Sequence, residues 1–184
     1  MKHVRREELC DWITWTERRP QELPAILAQK AARRVHLGPE LTLLFENAAT
    51  VRYQVQEMMR VEHIVREADI QHELETYNEL LGGPGELGCT LLIEIDDPRR
   101  REEVLPRWLD LPRRIYVALE GGERVHALVD ERQIGDTRVS AVQYLRFPTR
   151  GRPPVAIGTD FAELAIESAL TPAQRAALAE DLAS

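Results

Sequence analysis

Two cysteines in 184 residues, Cys10 and Cys89, are too few and too far apart for a secreted disulfide framework, a zinc ribbon or a C-x-x-C redox motif. Both read as small buried hydrophobes. Long apolar runs are missing too. No stretch approaches the roughly 20 residues that span a bilayer, and the N-terminus MKHVRREELCDWITW is charged throughout, without the apolar core of a signal peptide. There is no basic excess: 24 Lys and Arg face 31 Asp and Glu, a formal charge of -7. That balance argues against nucleic acid or an anionic membrane as the main partner. Gly-x-Ser-x-Gly and P-loop strings are absent, and the G-x-G-x-x-G spacing of Gly83, Gly85 and Gly88 follows a predicted helix rather than a strand, so hydrolase, nucleotide-triphosphatase and dinucleotide readings have no support. The expectation is a soluble, cytoplasmic protein.

What is present suits a globular chain. Hydrophobic residues make up 43% and charged residues 30%, and a chain of this length buries about 70% of its unfolded surface. We expect a single domain over residues 1–184. The Pro/Gly/Arg stretch PTRGRPP at 148–154 is the one candidate boundary, and the tail beyond it is too short to fold alone.

Periodicity and stop signals outline the elements. A helix is predicted over 21–36, with Leu23, Ile26, Leu27 and Ala31 as its apolar stripe and Leu37-Gly38 as its stop. LTLLFEN (41–47) reads as a buried strand. Helices follow over about 49–67 and 69–81, the second ended by Gly82-Gly83-Pro84-Gly85. CTLLIEID (89–96) is a strand, and Asp97-Pro98 opens a helix reaching about Leu109. RIYVALE, Gly121-Gly122 and ERVHALVD (114–130) form a hairpin. Further strands are expected at 139–147, around 155–158 and in AELAIESAL, before a final helix begun by Thr171-Pro172. Helices and strands segregate, which predicts an α+β fold: a mostly antiparallel sheet packed with N-terminal helices and a closing C-terminal helix.

One helix draws attention. In VRYQVQEMMRVEHIVREA (51–68), Val51, Val55, Met58, Val61, Val65 and Ala68 share one broad arc at about 100° per residue. Gln54 and Glu62 fall inside that arc, with Tyr53 and Glu57 at its border. Arg52, Gln56, Arg60, His63 and Glu67 point to water. A carboxylate or amide facing a core must be paired. Either Glu62 meets an arginine from another element and Gln54 satisfies a strand edge or loop, or these groups line a pocket or partner-binding groove with Tyr53 and Glu57 at its rim.

The same residues carry a resemblance. LTLLFENAATVRYQVQEMMRVEHI, continuing into IQHELETYNELL, resembles the bacterial domain-of-unknown-function family 3501. The family pattern is a Tyr-Gln-hydrophobic-Gln-Glu-Met core followed by Arg and Glu, then Tyr-Asn. It falls here on Tyr53, Gln54, Val55, Gln56, Glu57 and Met58, with Arg60, Glu62, Tyr77 and Asn78 in step. KAARRVHLGPELTLLFEN, ERVHALVDE, VSAVQYLRF and LTPAQRAALAEDL also fit, so the likeness covers nearly the whole chain. It departs at Gly158-Thr159-Asp160-Phe161, where the pattern would place an Asp, a His-Pro or Pro-containing turn, and a Tyr. The resemblance implies membership of gene clusters encoding rubrerythrin-type di-iron proteins and iron–sulfur proteins. That context makes such proteins candidate partners in redox or peroxide handling.

Other constellations are weak. The chain has no two helical Glu-x-x-His pairs of the kind a di-iron bundle requires: its one such spacing, Glu123 to His126, lies in a predicted strand. Asp69-x-x-His72, with His63 and Glu67, projects to the predicted solvent side, so no metal ligand is assigned. His126 sits among apolar strand neighbours and reads as a sheet-face residue. Arg99-Arg100-Arg101 is followed by Glu102-Glu103 and reads as a mixed-charge helix start. Two functions remain. The first is an accessory, partner-binding protein of an iron-dependent redox system, with Tyr53, Gln54, Glu57, Arg60, Glu62, Tyr77 and Asn78 as the candidate groove and self-association into a homo-oligomer allowed. The alternative is a small metal-dependent or small-molecule enzyme with Glu57 or Glu62 as general base or ligand and Tyr53 as proton donor. No cofactor follows from the sequence.

Overall fold

The computed structural model describes residues 3–130 and 135–184. An extended N-terminal segment with one 3-10 turn, Arg6–Glu8, leads into α1, Trp12–Ala31. Asp11 starts α1 by accepting from the Ile13 and Thr14 amides, each at 3.0 Å. Both limits predicted for this helix change. It begins nine residues earlier than position 21, with Pro20 and Pro24 on its exposed side, where carbonyls that lose their amide partner face water. It also stops before 34, because Arg34–Leu37 forms strand β1: Val35 and Leu37 bury while Arg34 and His36 stay out. Of the expected stripe only Ile26 is buried; Leu27 is exposed.

Among the described residues nine strands form two antiparallel sheets. β1 pairs with β2 (Leu41–Glu46), β2 with β3 (Leu87–Ile93), β3 with β7 (Val142–Phe147), and β7 with β6 (Leu128–Val129). The second sheet runs β5 (Arg124–His126), β4 (Ile115–Leu119), β8 (Pro154–Thr159), β9 (Ile166–Ala169). The predicted hairpin about Gly121-Gly122 therefore holds for three pairs, Tyr116↔His126 to Ala118↔Arg124. Past Ala127 the same strand changes sheets, and Leu128 pairs with Arg146. At the opposite corner Ile166 of β9 packs against Gly38 beside β1. The inward faces share one core that includes Leu43, Leu91, Val117 and Ile157. α4 (Pro98–Arg107), opened by Asp97 and Pro98, contributes Val104 and Leu105, and the closing helix α5 (Pro172–Ala183) contributes Leu178. Among the described residues no helix is long and apolar enough to cross a membrane.

α2 (Ala48–Val61) and α3 (Glu67–Asn78) form a separate helical layer. Its own apolar cluster joins Val51, Val55 and Met59 to Ile70, Leu74 and Leu81, with Val4 and Leu9 from the N-terminal segment. The predicted arc of α2 needs rotation. The buried stripe is Val51, Val55, Met59 at i, i+4, i+8, with Gln56 beside it, while Val61 and Val65 are 61% and 73% exposed. The periodicity of 51–68 runs across a break in the helix. α2 ends at Val61, His63 adopts a left-handed φ of 52°, and the Ile64 amide donates back to the Met59 carbonyl at 2.9 Å. Ile64, not Val65, then turns towards the cluster.

Candidate functional site

α1 and α2 meet along a polar seam built around Glu57, whose side chain is 14% exposed. Trp15, one turn into α1 and buried, donates its indole N–H to Glu57 at 2.8 Å. Arg19, one turn later, places Nε 2.9 and 3.0 Å from the two carboxylate oxygens. Arg60, three positions along α2, adds Nε and Nη2 at 3.2 Å each. Burial pushes this carboxyl up, but hydrogen bonds from Arg60, Trp15 and Arg19 outweigh burial and hold it at about 2. Glu57 is therefore a fixed anion at neutral pH with its lone pairs occupied.

Tyr53, one turn before Glu57, continues the seam. Its ring meets Trp15 edge-on at 5.9 Å, and the Lys30 ammonium lies 4.8 Å from its centroid. Burial and the neighbouring Glu57 charge raise the phenol above its ordinary value. Deeper along the seam, Glu46 at the end of β2 accepts from Thr50 Oγ1 at 2.6 Å. Burial raises the Glu46 carboxyl, partly offset by that hydrogen bond.

Two side-chain amides do a different job. Gln56 Oε1 accepts from the Cys10 amide at 2.8 Å, and its Nε2 donates to the Cys10 carbonyl at 3.1 Å. Asn78 treats Val4 the same way, with both bonds at 2.9 Å. Each amide copies a strand neighbour and holds one residue of the N-terminal segment by both backbone groups. Gln56 is pointed to water by the periodicity of 51–68. It is 2% exposed, the buried amide that the rotated periodicity placed at Gln54.

The remaining motif residues separate. Gln54 lies near the Tyr77 hydroxyl, and burial raises that phenol. Glu62, expected to face the core, is exposed at the C-cap of α2, because the helix ends one residue before it. The structure thus gathers Tyr53, Glu57 and Arg60 in the α1–α2 seam. Gln54 and Tyr77 meet at the α2–α3 side, with the exposed Glu62 charge also felt by Tyr77, and Asn78 clamps the N-terminal segment.

Tyr77 and Asn78 lead into a groove of about 1380 Å³. The N-terminal segment from His3 to Arg6 and the end of α3 form one wall, and β6 and β7 form the other through Leu128, Val129, Tyr144 and Arg146. Beside it the outward face of β7 and β6 is apolar: Val142, Tyr144 and Leu128 are 43%, 40% and 47% exposed. The sequence reading missed this face, although its signal lay in the alternation of VQYLRF, where the outward positions hold Val, Tyr and Arg.

A second polar row crosses the outer face of the other sheet. In register, His126, Tyr116, Gly158 and Glu167 lie side by side. His126 Nε2 is 2.8 Å from Asp160 Oδ2, and the Tyr116 hydroxyl donates to Glu167 at 2.8 Å. Gly158 makes this reach fit, since a Cβ there would stand 2.6 Å from the Tyr116 hydroxyl. His126 is the sheet-face residue the sequence suggested, but with a carboxylate partner that strand periodicity could not reveal. Among the described residues no group of three or more His, Cys, Asp or Glu side chains could hold a metal ion.

Comparison with known proteins agrees with this architecture. A solved structure described as the crystal structure of a novel protein of unknown function from Burkholderia pseudomallei K96243, at 1.90 Å resolution, is 33% identical in sequence. The match has a TM-score of 0.89 and covers 98% of this chain and 100% of that one. No curated protein matches. The family model described as protein of unknown function (DUF3501) matches residues 3–182, a span that takes in the seam, both amide clamps and the groove, and the chain belongs to that family.

Proposed function

We propose that this protein is a non-catalytic accessory protein that binds a protein partner through the groove beside α3. The observation that carries this reading is the apolar face of Val142, Tyr144 and Leu128 running into a groove of about 1380 Å³. An exposed apolar patch rimmed by charge is what a protein interface offers. The groove's size and open, charged walls suit a length of polypeptide better than a small molecule, whose pockets enclose most of the ligand.

The enzyme alternative loses its acid–base groups. A carboxyl held at about 2 is a weak proton acceptor at neutral pH, and Glu62 is at the surface away from Tyr53 and Glu57. In the partner-binding reading the Glu57 seam shapes the helical layer that walls the groove.

Partners are proposed from the gene context of the family resemblance: a rubrerythrin-type di-iron protein or an iron–sulfur protein of an iron-dependent redox system. The test is calorimetric titration of each purified candidate into the wild type and into a Leu128→Ser, Val142→Ser variant. Both positions are exposed, so the variant keeps its core. Binding to the wild type at least 10-fold tighter than to the variant is expected. Absence of binding to either candidate would remove the redox-accessory assignment.

A further inference from the structure

Residues 3–10 are held to the helical layer the way a bound peptide is held. Two apolar side chains, Val4 and Leu9, sink into the α2–α3 cluster. Two side-chain amides, Asn78 and Gln56, read the backbone of Val4 and Cys10 from both its donor and its acceptor. Between these anchors the chain makes one 3-10 turn, with Arg5 paired locally to Glu7 and Glu8. Arg6 adds an exposed ion pair to Glu67, which contributes little.

We propose that this segment is a releasable strap filling a peptide-binding cleft, and that the cleft's ligand is a polypeptide with apolar side chains at its first and sixth positions and one 3-10 turn between them. The occupant already in place defines that chemistry. Asn and Gln side chains pair with a peptide backbone whatever its sequence, while the two apolar seats, five residues apart, set the spacing. The strap's first residues also form one wall of the groove, so its release joins cleft and groove into one longer channel. Burial of two side chains and four hydrogen bonds is set against the ordering of eight residues, so the strap opens without the fold opening. The biological use of the cleft rests on the partner-binding reading; the release of the strap does not.

The first measurement is hydrogen exchange on the wild type. The Val4 and Cys10 amides should exchange at least about 100-fold faster than those of Val55 and Met59, through local opening. Equal rates would mean that the segment leaves only when the protein unfolds, and would overturn the proposal. The second uses a fluorescent synthetic peptide of residues 3–11 added to the full-length chain. A Val4→Ser, Leu9→Ser variant, whose own strap is weakened, should bind it at least about 10-fold more tightly than the wild type, where the cleft is taken. Adding Asn78→Ala should weaken that binding again. A folded variant with no affinity for the peptide would also overturn the proposal. If the peptide binds as expected but no redox protein binds either form, the strap stands and the partner assignment falls.

Discussion

Arg33 and Asp181, 148 positions apart, form a buried fork: Nε to Oδ2 at 2.7 Å and Nη2 to Oδ1 at 2.8 Å, with the two side chains 5% and 4% exposed. Asn47, the N-cap of α2, donates to the same carboxylate at 3.2 Å. One carboxylate from the last helix thus joins the end of α1 to the start of α2. Removing one partner of such a pair leaves an uncompensated charge, so Asp181→Ala should cost about 3–5 kcal/mol, read as a lower urea midpoint.

Glu57 gives a pH signature of its own. Its carboxyl is depressed in the fold from 4.5 to about 2, so its contribution is complete above pH 4.5 and is lost as pH falls through 2. Allowing for partial solvent screening, it supplies on the order of 2–3 kcal/mol at neutral pH. The stability gap between the wild type and Glu57→Gln should therefore close across that acid window. A gap independent of pH would refute the assignment.

Glu46 should behave in the opposite sense. Burial raises its carboxyl, against the smaller pull of Thr50, so ionisation is disfavoured in the fold. The stability it contributes is full below pH 4.5 and is lost as pH rises through the folded value. Glu46→Gln should match or exceed the wild type at pH 8, by up to about 1 kcal/mol, and lose that advantage at pH 4. Thermal melts at the two pH values decide it.

Gly158 is set by close approach. A methyl group there would lie 2.6–2.7 Å from the Tyr116 ring and hydroxyl and 2.8 Å from the Ile166 carbonyl. Gly158→Ala should cost about 1–3 kcal/mol as overpacking and displace Tyr116 from Glu167. A melting temperature equal to the wild type would show that the β8–β9 pair shifts freely.

Most of the fold was legible because its signals were local. Asp97-Pro98, Thr171-Pro172 and Gly121-Gly122 mark boundaries wherever the chain goes, and the alternation of β7 shows directly in its sequence. α1 was misread because Pro20 and Pro24 look like breakers until one knows that they lie on the exposed side. α2 was misread because nothing in HIV announces a left-handed His63. The motif residues were recognisable as a group, yet their division of labour was not. Gln56 and Asn78 clamp a segment more than 40 residues away in sequence, and Glu57 depends on Trp15 and Arg19 of another helix. Such partners are set by tertiary packing, which no single-sequence periodicity encodes.

The strand that changes sheets at Ala127 constrains how the protein can vary. Residues 124–126 are registered on β4 and 128–129 on β7, with the Ala127 amide donating to the Ile115 carbonyl at 2.9 Å. An inserted or deleted residue there would invert the facing of one half or the other. Length changes in this family should therefore collect at the Gly121-Gly122 turn, which is exposed and where an added Cβ would meet nothing within 4 Å, and avoid the crossing that fixes one wall of the groove.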